Sequence, residues 1–294
     1  MRFDFLNPVK VIKTIKYRFF LFAGILPFFL GQAIAFGTNN FISWTYFWLG
    51  FAGIFSVLAA VELFNEYFDA KEGGDRIFSQ QSIQIPGYFY GLGISALFLA
   101  FIVGVYFAYK TGWPVLLFCF LGFLGSYFYV GPPIRWAYRG FGEIVIGLCY
   151  GPFMVLGSYY IQAQKIDFEP FFVSMICGLS VFCLAVLNEI PDYYQDMLVG
   201  KQNLVVRFGR QRALIILKIG FTAMFVFLVL GVAIRTIPVS GIFSLVLLPL
   251  LFRGIKCADK NYDNPKPFRF AVDSVIIAHV ILFLSLGISF LMHK

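Results

Sequence analysis

FEPFFVSMICGLSVFCLAVLNEI, residues 168–190, carries no charge between Glu169 and Glu189. Crossing the hydrocarbon of a bilayer takes roughly 20 mostly apolar residues wound as a helix, and this stretch supplies them. A barrel strand would instead alternate apolar and polar residues over about ten positions, and no such alternation is present. Working outward, eight further runs of the same kind occupy about 19–36, 43–64, 87–108, 113–130, 141–162, 212–234, 237–252 and 271–291. The whole chain agrees: of 294 residues, 60% are hydrophobic and 13% charged, with a mean hydropathy of +0.82. A soluble domain carries about 25% charged residues, so a soluble enzyme and a disordered chain are both excluded. The sequence predicts an all-α polytopic membrane protein: nine transmembrane helices in a single integral-membrane domain over residues 1–294. Lys10, Lys13, Lys16 and the triplet Ala33-Ile34-Ala35 imitate a secretory signal, but more crossings follow and the first run reads as a retained helix.

The net charge of +8 reads as loop charge on one side of a membrane, not as a nucleic-acid surface. With the N-terminus inside, the inner segments hold 18 Lys and Arg and the outer ones four. That split predicts a cell-membrane protein whose N-terminus and longer loops, with any chemistry they carry, are cytoplasmic. Four of the five cysteines lie in apolar runs and none forms a CxxC pair, which argues against a disulfide framework or a thiolate metal site. No P-loop sequence is present.

The quoted run ends in Asn188-Glu189-Ile190-Pro191-Asp192, and the run at 43–64 is followed by Asn65-Glu66-Tyr67-Phe68-Asp69. Both read N-E-x-x-D, four spans apart. This predicts a duplicated architecture, two pseudo-repeated four-helix halves (about 10–130 and 141–252) plus a ninth helix at 271–291 around a central cavity. Seven of the 15 acids crowd into these two places: Glu66, Asp69, Glu72 and Asp75, then Glu189, Asp192 and Asp196. Residues four apart share a helix face, which groups Asn65 with Asp69, and Asn188 with Asp192 and Asp196. Carboxylates so placed repel unless cations lie between them. A solvated acidic loop is the plainer alternative, but it leaves unexplained why acids dominate two inner loops of a protein whose other inner segments are basic. Mg²⁺ takes oxygen ligands, usually one or two carboxylates plus substrate phosphates. Two such clusters, each with an Asn amide oxygen, suit two Mg²⁺ bridged by a pyrophosphate. Lys201, Arg207, Arg18, Lys71 and Arg76 are the basic residues near enough in sequence to balance its charge. Glu62, seven residues before Asp69, faces the same side deeper in the helix, with a cavity role and a packing role both open. His279 reads as a packed, hydrogen-bonded histidine, and Gly147-x-x-x-Gly151 as a close helix contact.

On these residues the chain resembles the UbiA superfamily of intramembrane prenyltransferases. NEYFDAKEGGD (65–75) is similar to the first Asp-rich motif of that superfamily, and NEIPDYYQDMLVGKQNLVVRFG (188–209) to the second. The spacing of the first motif and the stretch GPPIRWAYRGFGEIVIGLCYGPFMVLGSYYIQ (131–162) resemble the MenA-like branch, the 1,4-dihydroxy-2-naphthoate polyprenyltransferases. Departures are Glu66 where Asp is usual, Glu72 where Lys is usual, and Arg18-Phe19 in place of Arg-Pro. The resemblance implies Mg²⁺-dependent transfer of a polyprenyl group from prenyl pyrophosphate to an aromatic acceptor within the lipid bilayer. It makes Asn65, Asp69, Asp75, Asn188, Asp192 and Asp196 the metal and pyrophosphate ligands, with Lys201 and Arg18 on the phosphate. The reaction expected is loss of pyrophosphate to an allylic cation, which an electron-rich ring carbon attacks. Aromatic faces attract cations, and Tyr129 and Tyr67, near the motifs, are the expected contacts. Other acceptors (4-hydroxybenzoate, homogentisate, a porphyrin, a glyceryl phosphate) are the alternatives within this reading; a cation-coupled secondary transporter is the alternative outside it. Nothing in the sequence points to a protein partner.

Overall fold

A computed structural model describes residues 24–72 and 87–293. Every regular element in them is a helix. The long elements are α1 (Leu26–Asn39), α2 (Trp44–Glu72), α3 (Tyr88–Thr111) and α4 (Pro114–Phe128), then α5 (Gly142–Ala163) and α6 (Phe168–Glu189). The short α7 (Tyr193–Leu198) and α8 (Leu204–Phe208) follow, and after them α9 (Arg210–Ala233), α10 (Val239–Asn261) and α11 (Pro265–Met292). Among the described residues seven helices are long and apolar enough to cross a membrane, and α4 is a shorter apolar one. Residues 19–23 of the first expected span lie outside the described residues.

Local chemistry sets the boundaries. Pro27, Pro114 and Pro265 sit in the first turns of α1, α4 and α11, where a missing N–H costs no hydrogen bond. Asn264 caps α11 by accepting from the Lys266 N–H at 3.3 Å. The expected span 43–64 proves too short, because α2 runs unbroken to Glu72 and carries residues 65–72 of the first motif on helix. The expected span 237–252 instead starts as a 3₁₀ turn, Val239–Leu247, and continues as α-helix to Asn261. Asn188, Asp192 and Asp196 do not share one continuous helix. Pro191 lacks an N–H and disfavours the helical conformation before it, so α6 stops at Glu189 and α7 restarts after a turn.

α6 is the most enclosed span and α3 the most peripheral, with 72% and 17% of their apolar windows buried. α1 packs on α5 and α11, α6 on α5 and α9, and α10 on α11, while α2, α3 and α4 form a cluster beside α5. Small residues permit the closest approaches: a Cβ on Gly151 would meet Gly178 Cα at 2.5 Å, and one on Gly31 would meet the Val155 carbonyl at 2.4 Å. His279 is buried and pairs its Nδ1 with Ser180 Oγ at 2.9 Å, as expected. The outer face of α3 (Phe98, Leu99, Ile102, Tyr109) is exposed and apolar, a surface that requires lipid rather than water. Between the helices lies a cavity of about 1030 Å³.

Candidate active site

The two N-E-x-x-D segments meet at one end of this cavity. Asn65, Glu66 and Asp69 reach it from α2, Asn188 and Glu189 from the end of α6, and Asp192, Asp196, Lys201 and Asn203 from the segment after it. α2 is uninterrupted helix there, so four-residue spacing alone puts Asn65 and Asp69 on the wall. The second corner is assembled by turns. Asp196 N–H donates to the Asp192 carbonyl at 2.8 Å, and Lys201 N–H to the Asp196 carbonyl at 2.9 Å. Between them Gly200 closes α7 at φ 77°, a left-handed conformation that glycine adopts without steric cost.

Lys201 ties the corners together. Its Nζ lies 3.1 Å from Asp69 Oδ1 and 3.7 Å from Asp196 Oδ1, joining residues 132 positions apart. Burial works against the Lys201 ammonium, but Asp69 and Asp196 outweigh it and hold its pKa above the usual lysine range. Asp196 is pushed up to about 6 by burial, with Asp192 and Asp69 adding to the shift and Lys201 and Asn203 opposing it. Asn203 anchors the loop at both ends: its Nδ2 donates to Asp196 Oδ2 at 2.7 Å, and its Oδ1 caps α8 by accepting from the Val206 N–H at 2.8 Å. Beneath it the fully buried Glu143, at the start of α5, accepts from the Leu204 N–H at 2.6 Å. Sequence reading missed Glu143 and Asn203. Asn203, three residues before Val206 and heading a short apolar run, carries a legible N-cap signal; Glu143 carries none.

Other expected residues are placed elsewhere. Lys71 and Arg207 are exposed and do not line the cavity; Arg207 packs under Gly140, whose Cβ would meet its Nε at 2.6 Å. Tyr129 lines the cavity, whereas Tyr67 packs edge-on against Phe68 and at a tilt against Tyr90, at ring distances of 5.2 and 5.3 Å, away from it. Glu62 lines it, which settles the question of where that acid points. Arg18, Asp75 and Arg76 lie outside the described residues. Beyond the polar end the wall turns apolar, with Phe101, Phe107, Phe118, Phe120, Phe123 and Phe153 among its residues.

Among the described residues no three His, Cys, Asp or Glu side chains converge tightly enough to hold a metal by themselves. Lys201 occupies the gap between Asp69 and Asp196 and supplies the positive charge there. Oxygen donors are nonetheless in place: Asn65 Oδ1 is buried and accepts no hydrogen bond, and buried Asp69 Oδ1 faces the Lys201 ammonium without a hydrogen bond of proper geometry. This donor set fits a hard cation that draws its remaining ligands from a phosphate and water. The arrangement is that of a two-zone pocket, with an oxygen-rich, cation-balanced mouth above an apolar, aromatic interior.

The chain is 29% identical over 222 residues to 1,4-dihydroxy-2-naphthoate octaprenyltransferase of Bacillus subtilis, covering 71% of this chain and 69% of that one. It is 22% identical over 246 residues to 2-carboxy-1,4-naphthoquinone phytyltransferase of Synechocystis, covering 82% and 80%. Its fold is similar to that of a UbiA homologue from Archaeoglobus fulgidus bound to DMAPP and Mg²⁺, with a TM-score of 0.64, 15% identity, and 96% and 99% of the two chains covered. The model of the UbiA prenyltransferase family matches residues 24–287, so the two-zone pocket belongs to an enzyme, and the chain is a member of the UbiA prenyltransferase family.

Proposed function

We propose that this prenyltransferase moves a polyprenyl group from its pyrophosphate to 1,4-dihydroxy-2-naphthoate, with Mg²⁺ as cofactor, in quinone biosynthesis of the menaquinone type. The observation that carries the reading is the meeting of two N-E-x-x-D segments at the polar end of one apolar cavity. The names of the Bacillus and Synechocystis relatives favour the naphthoate acceptor, and the Mg²⁺ and DMAPP bound by the Archaeoglobus homologue favour the metal. Asn65 and Asp69 on one side, and Asn188, Asp192 and Asp196 on the other, would hold the metal, joined by Asp75. Bound Mg²⁺ would offset the negative charge that collects on departing pyrophosphate. Lys201 is positioned to contact a phosphate oxygen as a point charge, and Arg18 is proposed for the same anion. The cavity phenylalanines and Tyr129 take the prenyl chain, present ring faces to an allylic cation, and keep out water that would quench it. The ring carbon of the acceptor then attacks that cation, and loss of a proton, with the carboxyl group leaving as CO₂ in the naphthoate case, restores aromaticity.

In the same reading α1 and α4 complete nine crossings arranged as two four-helix halves and a ninth helix. The 18-to-four charge split supports a site at the cytoplasmic face of the cell membrane. The test incubates membranes containing the protein with labelled prenyl pyrophosphate and a panel of acceptors. Product formed with 1,4-dihydroxy-2-naphthoate, lost on adding EDTA and restored by Mg²⁺, is the expected result. Product that survives EDTA contradicts the metal, and product formed only with 4-hydroxybenzoate or homogentisate contradicts the acceptor.

A further inference from the structure

The two corners carry the same residues, Asn followed four positions later by Asp, the first pair on α2 and the second on the end of α6 and the turn after it. One turn deeper the likeness ends. Counting back three from each motif asparagine gives Glu62 on α2 and Ala185 on α6, and both line the cavity. A carboxylate thus stands on one wall where the other has a methyl group. Glu62 is 6% exposed, inside a membrane-spanning helix, where an ionisable side chain is costly and is retained for what it binds. α5 brings a second polar group to this depth. Pro152 has no N–H to give to the helix ladder, and Cys149–Phe153 winds as a π turn. The wider turn carries Cys149, Tyr150, Phe153 and Met154 to the cavity wall together. Tyr150 is buried and lines the same cavity as Glu62.

A pyrophosphate is close to symmetric and suits matched corners; a hydroxylated aromatic ring is not symmetric, and to react at one carbon it must be held one way round. The geometry points to Glu62 and Tyr150 as the acceptor-binding pair. Glu62 accepts the hydrogen bond of a ring hydroxyl and Tyr150 closes the pocket beside it. Repulsion from Glu62 turns any carboxylate on the acceptor away, toward the Lys201 end. The class of ligand is therefore a phenolic ring whose hydroxyl and carboxylate lie on different sides. This assignment rests on the transfer reaction proposed above.

The test measures steady-state prenyl transfer by the full-length protein in membranes, with 1,4-dihydroxy-2-naphthoate and its two mono-methyl ethers. Losing a hydrogen bond to a charged group lowers kcat/KM by about 10–100-fold. For Glu62→Leu that loss is expected in KM for the acceptor, with KM for prenyl pyrophosphate within about twofold of wild type. Glu62→Gln keeps a carbonyl acceptor and should lose less. The wild-type protein should discriminate against one methyl ether by about tenfold or more, and Glu62→Leu should not. A Leu variant that keeps the wild-type discrimination, or whose loss falls equally on both substrates, overturns the assignment. If Leu fails to fold, Glu62→Ala, which also removes the acceptor oxygens, decides against the same ethers on the same criterion. Failure of the wild-type protein to prenylate any acceptor is a different result, and it removes the transfer reaction and this pair together.

Discussion

Asp196 is the residue at which protonation, metal and loop structure meet. Its pKa of about 6 means that protons compete with a cation for it just below neutrality. At limiting Mg²⁺, turnover should fall as pH drops through 6, and excess Mg²⁺ should move that acid limb to lower pH. Stability should respond with the opposite sign. A carboxyl that is harder to ionise folded than unfolded takes up its proton first in the folded state, so the metal-free protein gains stability between about pH 6 and 4. Melting curves and activity profiles over the same range check both directions. Asn203→Ala removes one donor to Asp196 and the cap of α8. It should cost about 1 kcal/mol of stability and move the acid limb upward; a variant with an unchanged pH profile would separate Asn203 from the site. Four-residue spacing put Asp69 beside Asn65, whereas Asp192 and Asp196 were flagged only by the repeated motif, since the helix face expected to join them to Asn188 is broken at Pro191. Glu143 was silent because its partner, the Leu204 N–H, lies 61 residues away and pairings of that range leave no local pattern. Tyr67 and Tyr129 read alike in sequence, both aromatic and both near a motif. Only packing separates them, one drawn to Phe68 and Tyr90 and the other to the cavity.

At the level of the helix, apolar length was easy to read and interruption was not. The runs behind α2, α3, α5, α6, α9 and α11 are unmistakable because hydrocarbon thickness dictates their length. The restart after Pro191 and the π turn around Pro152 depend on how freed carbonyls are satisfied nearby, which an apolar count does not register. These irregular points matter most for the site, since one swings Asp192 and Asp196 to the mouth and the other lines the interior with Tyr150. The contact between α5 and α6 holds them in register. Gly147 and Gly151 face Gly178 so closely that a Cβ on Gly151 would enter the backbone of α6. Gly151→Val should therefore force the helices apart, at about 1–3 kcal/mol, visible as a lower melting temperature in detergent. Gly91, with open space around its Cβ position, is the matched control, and Gly91→Val should melt no lower than the wild type.

Over the molecule as a whole, the fold brings together segments that are far apart in the chain and leaves a lipid-facing exterior around a cavity of about 1030 Å³. The duplicated motif foretold two corners but not their distance, which depends on Lys201 bridging Asp69 and Asp196 at 3.1 and 3.7 Å. If both corners grip one magnesium–pyrophosphate unit, neither should be able to do so alone. Calorimetric titration of the purified protein with inorganic pyrophosphate, with and without Mg²⁺, measures this directly in wild type, Asp69→Ala, Asp192→Ala and the double variant. Binding should depend on Mg²⁺ in the wild type, and each single variant should lose nearly as much as the double. Small, additive losses, or binding indifferent to Mg²⁺, would contradict it.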